Sequence, residues 1–209
     1  MSRTLFISDL HLDASRPGIT RALDDFLRRN TECERLYILG DLFEAWIGDD
    51  DDRPLVAAVA ELLRRFTAAG PRLYLMQGNR DFLLGANFCR RVGAQLLPDP
   101  SLIDLYGTPT LLLHGDSLCT GDSQYQAFRR TARDPAWQVE LLARSLQERR
   151  ALAAQLRGMS QQANSNKAQD IMDVAPQEVE RVMRKYGVSQ LIHGHTHRPA
   201  RHDAADGSR

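Results

Sequence analysis

LYILGD, at residues 36–41, is an apolar run that ends in a glycine and a carboxylate. An uninterrupted apolar run of this length is typical of a strand that is buried on both faces of a sheet. The pattern recurs along the chain, where five such runs end in the polar tails SDLH (8–11), GDLF (40–43), GNRD (78–81), HGDS (114–117) and HGHTH (193–197). We therefore expect these tails, rich in Asp, Asn and His, to converge on one edge of a layered α/β fold.

Helical patterns alternate with the strands. Apolar residues recur at helical spacing in residues 19–29 and again after Pro54, and Gly70-Pro71 ends the second pattern. The remaining pattern predicts a short helix at residues 85–91 and strands at residues 72–76, 102–106, 110–113 and 190–192. This alternation predicts the α/β class.

Composition limits the classes of protein that the chain can belong to. The 209 residues include 27 basic and 27 acidic side chains, so the formal net charge is zero. A dedicated nucleic-acid binder is usually clearly basic, and we expect no nucleic-acid partner. Cys33, Cys89 and Cys119 are far apart and odd in number, which predicts neither a disulfide framework nor a thiolate metal site and fits a reducing compartment. With no apolar run near the ~20 residues of a spanning helix, we expect a cytoplasmic protein.

Residues 122–170 differ from the rest of the chain. Asp134-Pro135 is a good helix start, and apolar residues then recur at near-helical spacing at Trp137, Leu141, Leu142, Leu146, Leu152 and Leu156. Residues 125–170 hold eight cations against four carboxylates, although the whole chain is neutral. We interpret this part as a helical, lid-like insertion in a single domain at residues 1–209. The apolar stripe fits either ordinary core packing or the lining of a binding chamber.

The strand-end tails supply enough donors for two metal ions. Carboxylate, amide and imidazole groups occur together at Asp9, His11, Asp41, Asn79, His114, His195 and His197. Seven donors are too many for one ion with open positions, and they suit two ions that share a bridging carboxylate. Because side chains alternate along an extended segment, the D-x-H and H-x-H spacings each place two ligands on one side. A two-metal centre is suited to chemistry at a phosphoryl group.

Five ordered motifs carry a resemblance to a known family. SDLHL, GDLFEAWIGDD, GNRDFLLG, LLLHGDSLCTGD and IHGHTHRP together resemble the calcineurin-like metallophosphoesterases, from about Leu5 to Pro199. The resemblance implies a layered α/β sandwich with a helical lid insertion. It is strongest to the branch that cleaves the pyrophosphate bond of UDP-2,3-diacylglucosamine, giving UMP and a diacylglucosamine 1-phosphate, in the lipid A biosynthesis of Gram-negative bacteria.

The resemblance also implies roles for individual residues. Asp9, His11 and His197 would hold one ion, Asn79, His114 and His195 the other, and Asp41 would bridge them. The expected ions are two Mn²⁺, and Asn79, Arg80 and His195 would take part in catalysis. Substrate contacts would come from Asn79, Arg80, Asp122, Ser160, Asn164, Lys167 and His195. The implied partners are the lipid-linked nucleotide and the anionic cytoplasmic face of the inner membrane, with peripheral association.

Two other functions are compatible with the same motifs. The chain could be a generic phosphodiesterase or phosphatase, but most such relatives carry Asn-His where this sequence has Asn79-Arg80. It could also be a non-catalytic scaffold, although scaffolds of this kind lose ligands and all seven are present. Finally, the acidic run at residues 49–52 is interpreted as a solvated loop before the Pro54 helix, rather than as part of a site.

Overall fold

Two β-sheets form the frame of the molecule, and helices cover their outer faces. The structure is a computed structural model in which residues 3–165 and 173–203 are described. The first sheet is parallel, and its strands lie side by side in chain order: β1 (Thr4–Ile7), β2 (Arg35–Leu39), β3 (Arg72–Met76) and β4 (Ala94–Leu97). Their carboxyl ends therefore meet at one edge, together with the polar tails that follow β1, β2 and β3.

The second sheet completes this edge. It contains β5 (Ser101–Leu105), β6 (Thr108–Leu113) and β7 (Gln190–His193), in that order. The β5 and β6 strands form an antiparallel hairpin, whereas β7 runs parallel to β6 with His193 opposite Leu113. Consequently the HGDS and HGHTH tails leave the sheet side by side.

The interior of the sandwich is apolar and tightly layered. Tyr37, Leu39, Met76 and Leu112 form one buried cluster that includes residues of both sheets. On the outer side of the first sheet, Leu36 and other strand residues pack in a larger cluster with three helices: α1 (Pro17–Arg29), α2 (Pro54–Ala68) and α3 (Ala86–Val92). Helix α7 (Pro176–Tyr186) packs in a smaller cluster with the second sheet. The α/β sandwich predicted from the sequence is confirmed.

Two regular elements were not predicted from the sequence. Strand β4 has only four residues, one of them the polar Gln95, and it follows directly on the left-handed Gly93 that ends α3. Helix α7 is strongly amphipathic: Val179, Val182 and Met183 share one face, Pro176 begins the helix and the left-handed Gly187 ends it. Its pattern was therefore present in the sequence and was overlooked, whereas β4 has a weak pattern and depends on its pairing with β3.

The predicted insertion consists of helices, as expected. Its helices are α4 (Ser123–Ala132), α5 (Pro135–Leu142) and α6 (Leu146–Ser165). Asp134 caps α5 by accepting a hydrogen bond from the Trp137 backbone N–H at 2.9 Å, which confirms the helix start predicted at Asp134-Pro135. Among the described residues, no helix is both long and apolar enough to cross a bilayer.

The apolar stripe of the insertion is divided between two helices. Ser145 separates α5 from α6, and its hydroxyl exchanges hydrogen bonds with the backbone and side chain of Glu148 in a capping box. Trp137 packs against the buried core, with its ring centroid 6.0 Å from that of Phe82. The apolar stripe therefore packs the insertion against the sandwich, at least at Trp137.

Candidate metal centre

The strand-end residues adopt an unusual backbone conformation. Five residues predicted as ligands have a positive φ: Asp9 (56°), His11 (48°), Asp41 (53°), His195 (72°) and His197 (54°). Tyr106, at the tip of the β5–β6 hairpin, is the sixth such residue other than glycine in the described part of the chain. Strained backbone of this kind persists where the surrounding structure enforces it, and here it is concentrated at one site.

The first group of predicted ligands converges from opposite ends of the chain. The Nε2 atoms of His11 and His197 lie 3.1 Å apart, and His197 Nε2 is 3.7 Å from Asp9 Oδ1. The ligand atoms of these three residues lie within 4.8 Å of one another. Asp9 Oδ1 is buried and has no hydrogen-bond partner, as expected of a carboxylate oxygen that awaits a cation.

The second group forms around the Asn79 side chain. Asn79 Oδ1 is 3.0 Å from His114 Nε2 and 3.0 Å from His195 Nδ1. The other ring nitrogen of His114, Nδ1, lies 2.9 Å from the carbonyl oxygen of Leu39. That hydrogen bond places a proton on Nδ1 and leaves Nε2, which faces Asn79 Oδ1, as the nitrogen available to an ion.

Asp41 lies between the two groups. Its Oδ2 is 3.6 Å from His11 Nε2, and its Oδ1 is 3.8 Å from His114 Nε2. Its carboxylate thus has one oxygen facing each group, which is the geometry that a bridging ligand requires. The structure brings all seven predicted ligands together, and their donor types suit two divalent ions such as Mn²⁺ or Zn²⁺. Which residue binds which ion stays a prediction.

Glycine and a buried carboxylate hold the loops at this close spacing. A Cβ on Gly78 would lie 2.1 Å from Asp41 Oδ1, so no other residue fits there. The fully buried Asp81 accepts hydrogen bonds from the backbone N–H groups of Gly78 and Leu42, each at 2.7 Å, and from that of Asp41 at 3.2 Å. Asp81 therefore ties the GDLF loop to the GNRD loop, and thereby positions Asp41 relative to Asn79.

A second buried carboxylate connects the centre to the insertion. The Tyr125 hydroxyl, on α4, donates to Asp116 Oδ2 at 2.6 Å, and the Arg129 guanidinium donates to the same oxygen at 2.9 Å. The Tyr125 ring lies nearly parallel to that of His195, with 5.9 Å between centroids. Burial would raise the pKa of Asp116, but His114 and Arg129 hold it down at about 2, so this carboxylate is charged at neutral pH.

The ligands themselves have shifted pKa values in the metal-free protein. Burial raises the pKa of Asp41 to about 6, and the neighbouring Asp81 carboxylate adds to the shift. Burial and the nearby His114 lower the pKa of His195 to about 4. His195 is therefore neutral at pH 7, which is the form that binds metal. Such opposed shifts within one cluster are typical of a functional site.

A cavity opens next to the metal centre and extends under the insertion. Its volume is about 390 Å³, and its inner end is lined by Asn79 and Arg80. The rest of the lining is largely apolar and comes from both the sandwich and the insertion: Trp46, Ile47, Phe82, Leu83, Phe128, Leu141, Leu152, Ala153, Leu156 and Met159. Leu141 and Leu152 of the apolar stripe thus line a chamber, while Trp137 does not.

The predicted substrate contacts are only partly placed by the structure. Arg80 and Ser160 line the cavity. Asp122 is buried and caps α4 by accepting the Tyr125 backbone N–H at 3.0 Å, so it orders the start of the insertion. Asn164 belongs to α6, but its side chain is not among those described, and Lys167 lies outside the described residues. Their predicted substrate roles stay predictions.

The interpretation of residues 49–52 as a solvated loop is right for the loop and for the exposed Asp50 and Asp52, but wrong for Asp49 and Asp51. Asp49 accepts hydrogen bonds from the backbone N–H groups of Gly85 and Phe88, and Asp51 is buried beside Arg53. Asp50 forms an ion pair with Arg149, and Asp52 pairs with Arg150. Asp50 and Asp52 therefore anchor the insertion, since Arg149 and Arg150 belong to α6, about a hundred residues further along the chain.

Most of the arginines that the insertion contributes to the site form ion pairs with carboxylates of the sandwich. Arg129 contacts Asp99 and Asp116, Arg149 is buried against Asp50, and Arg157 Nη1 lies 2.8 Å from Glu44 Oε1. Arg130 and Arg144 are exposed. A continuous cationic surface is therefore not present in the described part of the insertion.

Four residues of the site were missed by the sequence analysis: Glu44, Asp81, Asp116 and Tyr125. The first three lie inside the quoted motifs GDLFEAWIGDD, GNRDFLLG and LLLHGDSLCTGD, where their acidic type was visible. Their partners come from other segments of the chain, so no local spacing identifies their roles.

The chain is similar to proteins of one family over nearly its whole length. Residues 2–199 match the model of the calcineurin-like phosphoesterase family. A relative named UDP-2,3-diacylglucosamine hydrolase in Cellvibrio japonicus is 62% identical, over 95% of this chain and 83% of its own length. Relatives of the same name in Marinobacter nauticus and Pseudomonas aeruginosa are 56% and 57% identical, over 96% and 95% of this chain and 82% and 83% of their own lengths.

Proposed function

This chain belongs to the calcineurin-like phosphoesterase family, and we propose that it hydrolyses the pyrophosphate bond of UDP-2,3-diacylglucosamine. The products are UMP and 2,3-diacylglucosamine 1-phosphate, an intermediate of lipid A biosynthesis. The proposal rests on one observation: a single cavity joins the polar metal centre to an apolar chamber. The cavity begins at Asn79 and Arg80 beside the seven ligands and continues into an apolar chamber under the insertion. A phosphate group and acyl chains of one substrate require this combination.

The ligand residues support metal-assisted hydrolysis. Two divalent ions, when bound, act as Lewis acids and activate water for attack at phosphorus. The role of the chain is to fix the seven donors, which it does through the strained strand ends and the hydrogen bonds of Asp81 and Leu39. We propose Mn²⁺ as the resident ion, because carboxylate, amide and imidazole ligands without thiolate suit it.

Arg80 supports a pyrophosphate as the reacting group. Its guanidinium lines the cavity, and its buried Nε has no hydrogen-bond partner. A phosphate leaving group is already a stable anion, so the reaction depends less on a proton donor than the expulsion of an alkoxide does. The transition state does need positive charge near several phosphoryl oxygens. The Arg80 guanidinium is always charged, and its planar fork can contact two of these oxygens at once.

The alternatives fit the same site less well. A generic phosphodiesterase or phosphatase has no use for an apolar chamber that adjoins the metal centre. A non-catalytic scaffold has no need of seven convergent ligands with a strained backbone. The metal-dependent hydrolase is therefore the function that the site supports best.

We also propose peripheral association with the cytoplasmic face of the inner membrane. Val139, Leu142 and Met159 are exposed on the insertion, and Met159 also lines the cavity. Exposed apolar side chains beside a lipid-binding chamber allow the substrate to pass from the bilayer into the site. The exposed Arg130 and Arg144 add a salt-sensitive attraction to anionic headgroups.

The catalytic proposal is tested with purified protein, Mn²⁺ and UDP-2,3-diacylglucosamine. We expect equimolar UMP and diacylglucosamine 1-phosphate by mass spectrometry, with no turnover after chelation of the metal. Release of UDP instead of UMP, or turnover that survives chelation, would contradict the proposal.

Membrane association is tested by sedimentation with anionic vesicles at low and high salt. Val139→Ser is expected to weaken binding at both salt concentrations, because it removes an apolar contact of the insertion. Leu102→Ser is the matched control, since Leu102 is also an exposed apolar residue but lies on the β5–β6 hairpin. If both variants bound the vesicles as well as the unaltered protein does, the exposed apolar side chains of the insertion would have no role in membrane binding.

A further inference from the structure

Glu44 is a buried carboxylate outside the set of predicted ligands. It follows β2 and contacts basic groups from three other parts of the chain. Its Oε2 lies 2.6 Å from Arg16 Nη2 and 3.4 Å from His11 Nδ1. Its Oε1 lies 2.8 Å from Arg157 Nη1 and 3.8 Å from Arg80 Nη1. Each oxygen thus faces a different part of the site, one toward the ligand His11 and the other toward the cavity.

The contact with His11 concerns the metal centre. His11 Nε2 faces His197 Nε2 and Asp41, so this nitrogen is the one available to an ion. Coordination through Nε2 requires the ring proton to be on Nδ1, which is buried without a hydrogen-bond partner in the metal-free protein and lies 3.4 Å from Glu44 Oε2. A carboxylate behind a ligand histidine fixes its tautomer and ring orientation and increases the basicity of the ligand nitrogen.

The contacts with arginine concern the cavity. Arg80 comes from the loop after β3 and Arg157 from α6, and both line the cavity. Both guanidinium groups approach the same oxygen, Glu44 Oε1, and without that carboxylate they would repel each other. Three guanidinium groups, including that of Arg16, face one carboxylate, so the cluster keeps a positive excess for an anionic substrate.

We propose that Glu44 is a positioning residue with two effects. Through His11 it sets the affinity of one metal site, and through Arg80 and Arg157 it orients the guanidinium groups that face the substrate. The second effect rests on the proposed function, whereas the first requires only that the chain binds metal. Glu44 thereby connects the metal centre to the position of the α6 helix.

The first effect is measured without substrate by Mn²⁺ titration, with free Mn²⁺ followed by electron paramagnetic resonance. Glu44→Gln keeps the shape of the side chain and removes its charge. We expect two ions per unaltered chain, and one site weakened by about 10–100-fold in the variant with the other unchanged. Glu61→Gln is the matched control, because Glu61 forms an exposed ion pair with Arg64, and it should bind as the unaltered chain does.

A purely structural role makes a different prediction. If Glu44 only stabilised the fold, Glu44→Gln would lower the melting temperature of the metal-free protein and leave both Mn²⁺ affinities intact, and that result would overturn the proposal. Glu44→Asp keeps the charge on a shorter stem, and we expect it to recover part of the lost affinity. Binding by Glu44→Asp that is no better than binding by Glu44→Gln would also overturn it.

The second effect is measured on UDP-2,3-diacylglucosamine. Arg157→Gln should bind both ions normally and raise KM by about 10-fold, since it removes a ground-state contact. Glu44→Gln should raise KM similarly and lower kcat as well. An unchanged KM in both variants would show that Glu44 does not orient the guanidinium groups for the substrate. If the unaltered protein fails to hydrolyse this substrate, the proposed function fails, while the Mn²⁺ titration still decides the first half.

Discussion

The strand-end edge and the helical insertion hold their functional residues in opposite ways. At the edge, five predicted ligands sit on strained backbone at the ends of paired strands, and buried backbone hydrogen bonds fix their spacing. The insertion instead reaches the sandwich through side chains: apolar ones such as Trp137, and ion pairs such as Arg149 with Asp50 and Arg157 with Glu44. Under the proposed function, the comparison predicts that the strand-end edge carries the chemistry and that the insertion selects the lipid.

The largest effect is expected from Asp41→Asn, which removes charge from the carboxylate that faces both ligand groups. Turnover of UDP-2,3-diacylglucosamine should fall by at least about 10³-fold, or about 4 kcal/mol of transition-state stabilisation. Steady-state kinetics at saturating Mn²⁺ measure this loss. Activity within tenfold of the unaltered protein would show that the edge is not a two-metal centre.

Arg80 lies where the two regions meet, and its variants should lose about 100-fold in turnover of the diacylated substrate. Arg80→Lys keeps the charge and loses the fork, and Arg80→His supplies a proton donor in its place. We expect Arg80→His to be no better than Arg80→Ala on the pyrophosphate bond. If Arg80→His kept full pyrophosphatase activity, the guanidinium would not be the electrostatic contact assigned to it.

A smaller and more selective effect is expected from the anchor of the insertion. Arg149→Met leaves the Ile47 carbonyl and the Asp50 carboxylate without their donor, at a cost of about 1–3 kcal/mol in the attachment. KM for the diacylated substrate should rise by about 10-fold, with kcat retained. Arg144→Met is the control, since Arg144 is an exposed residue of the same segment. Equal KM values in the two variants would show that this anchor does not shape the chamber.

The smallest effect is expected on the free energy of unfolding of the metal-free protein. The pKa of Asp41 is raised from 3.8 to about 6 in the folded protein, so its ionisation destabilises the fold progressively as pH rises between these values. Below both values the carboxyl is neutral in the folded and unfolded states and contributes no difference. Asp41→Asn should therefore increase the free energy of unfolding at pH 7 by up to about 3 kcal/mol, the equivalent of that pKa difference, with little change near pH 3.5. Urea unfolding with a chelator present measures both, and an equal effect at the two pH values would contradict this account.

Much of the edge could be predicted from the sequence because its signals are local. An apolar strand followed by Asp, Asn or His is visible in one short segment, and parallel strands bring such segments together at one edge. The helix start at Asp134-Pro135 is local in the same sense. The strand ends and the start of α5 could therefore be located from the sequence alone.

The attachment of the insertion could not be predicted, because its signals are distant. Asp50 and Arg149 are separated by about a hundred residues, and nothing near either one identifies its partner. The acidic run therefore appeared solvated, and the cations of residues 125–170 could be counted but not paired. Glu44 and Asp81 were hidden for the same reason, since each acquires its role from several segments that meet only in the fold.

The division between the two regions is tested most directly by narrowing the chamber alone. Ala153 of α6 lines the cavity, whereas its neighbour Ala154 is exposed, so Ala153→Phe and Ala154→Phe form a matched pair. The measurement is the ratio of kcat/KM for UDP-2,3-diacylglucosamine to that for UDP-glucosamine, which lacks acyl chains. We predict that Ala153→Phe lowers this ratio by about 100-fold, with hydrolysis of UDP-glucosamine unchanged, and that Ala154→Phe leaves the ratio as it is. A parallel fall for both substrates in Ala153→Phe, or an unchanged ratio, would contradict the separation of chemistry from lipid selection.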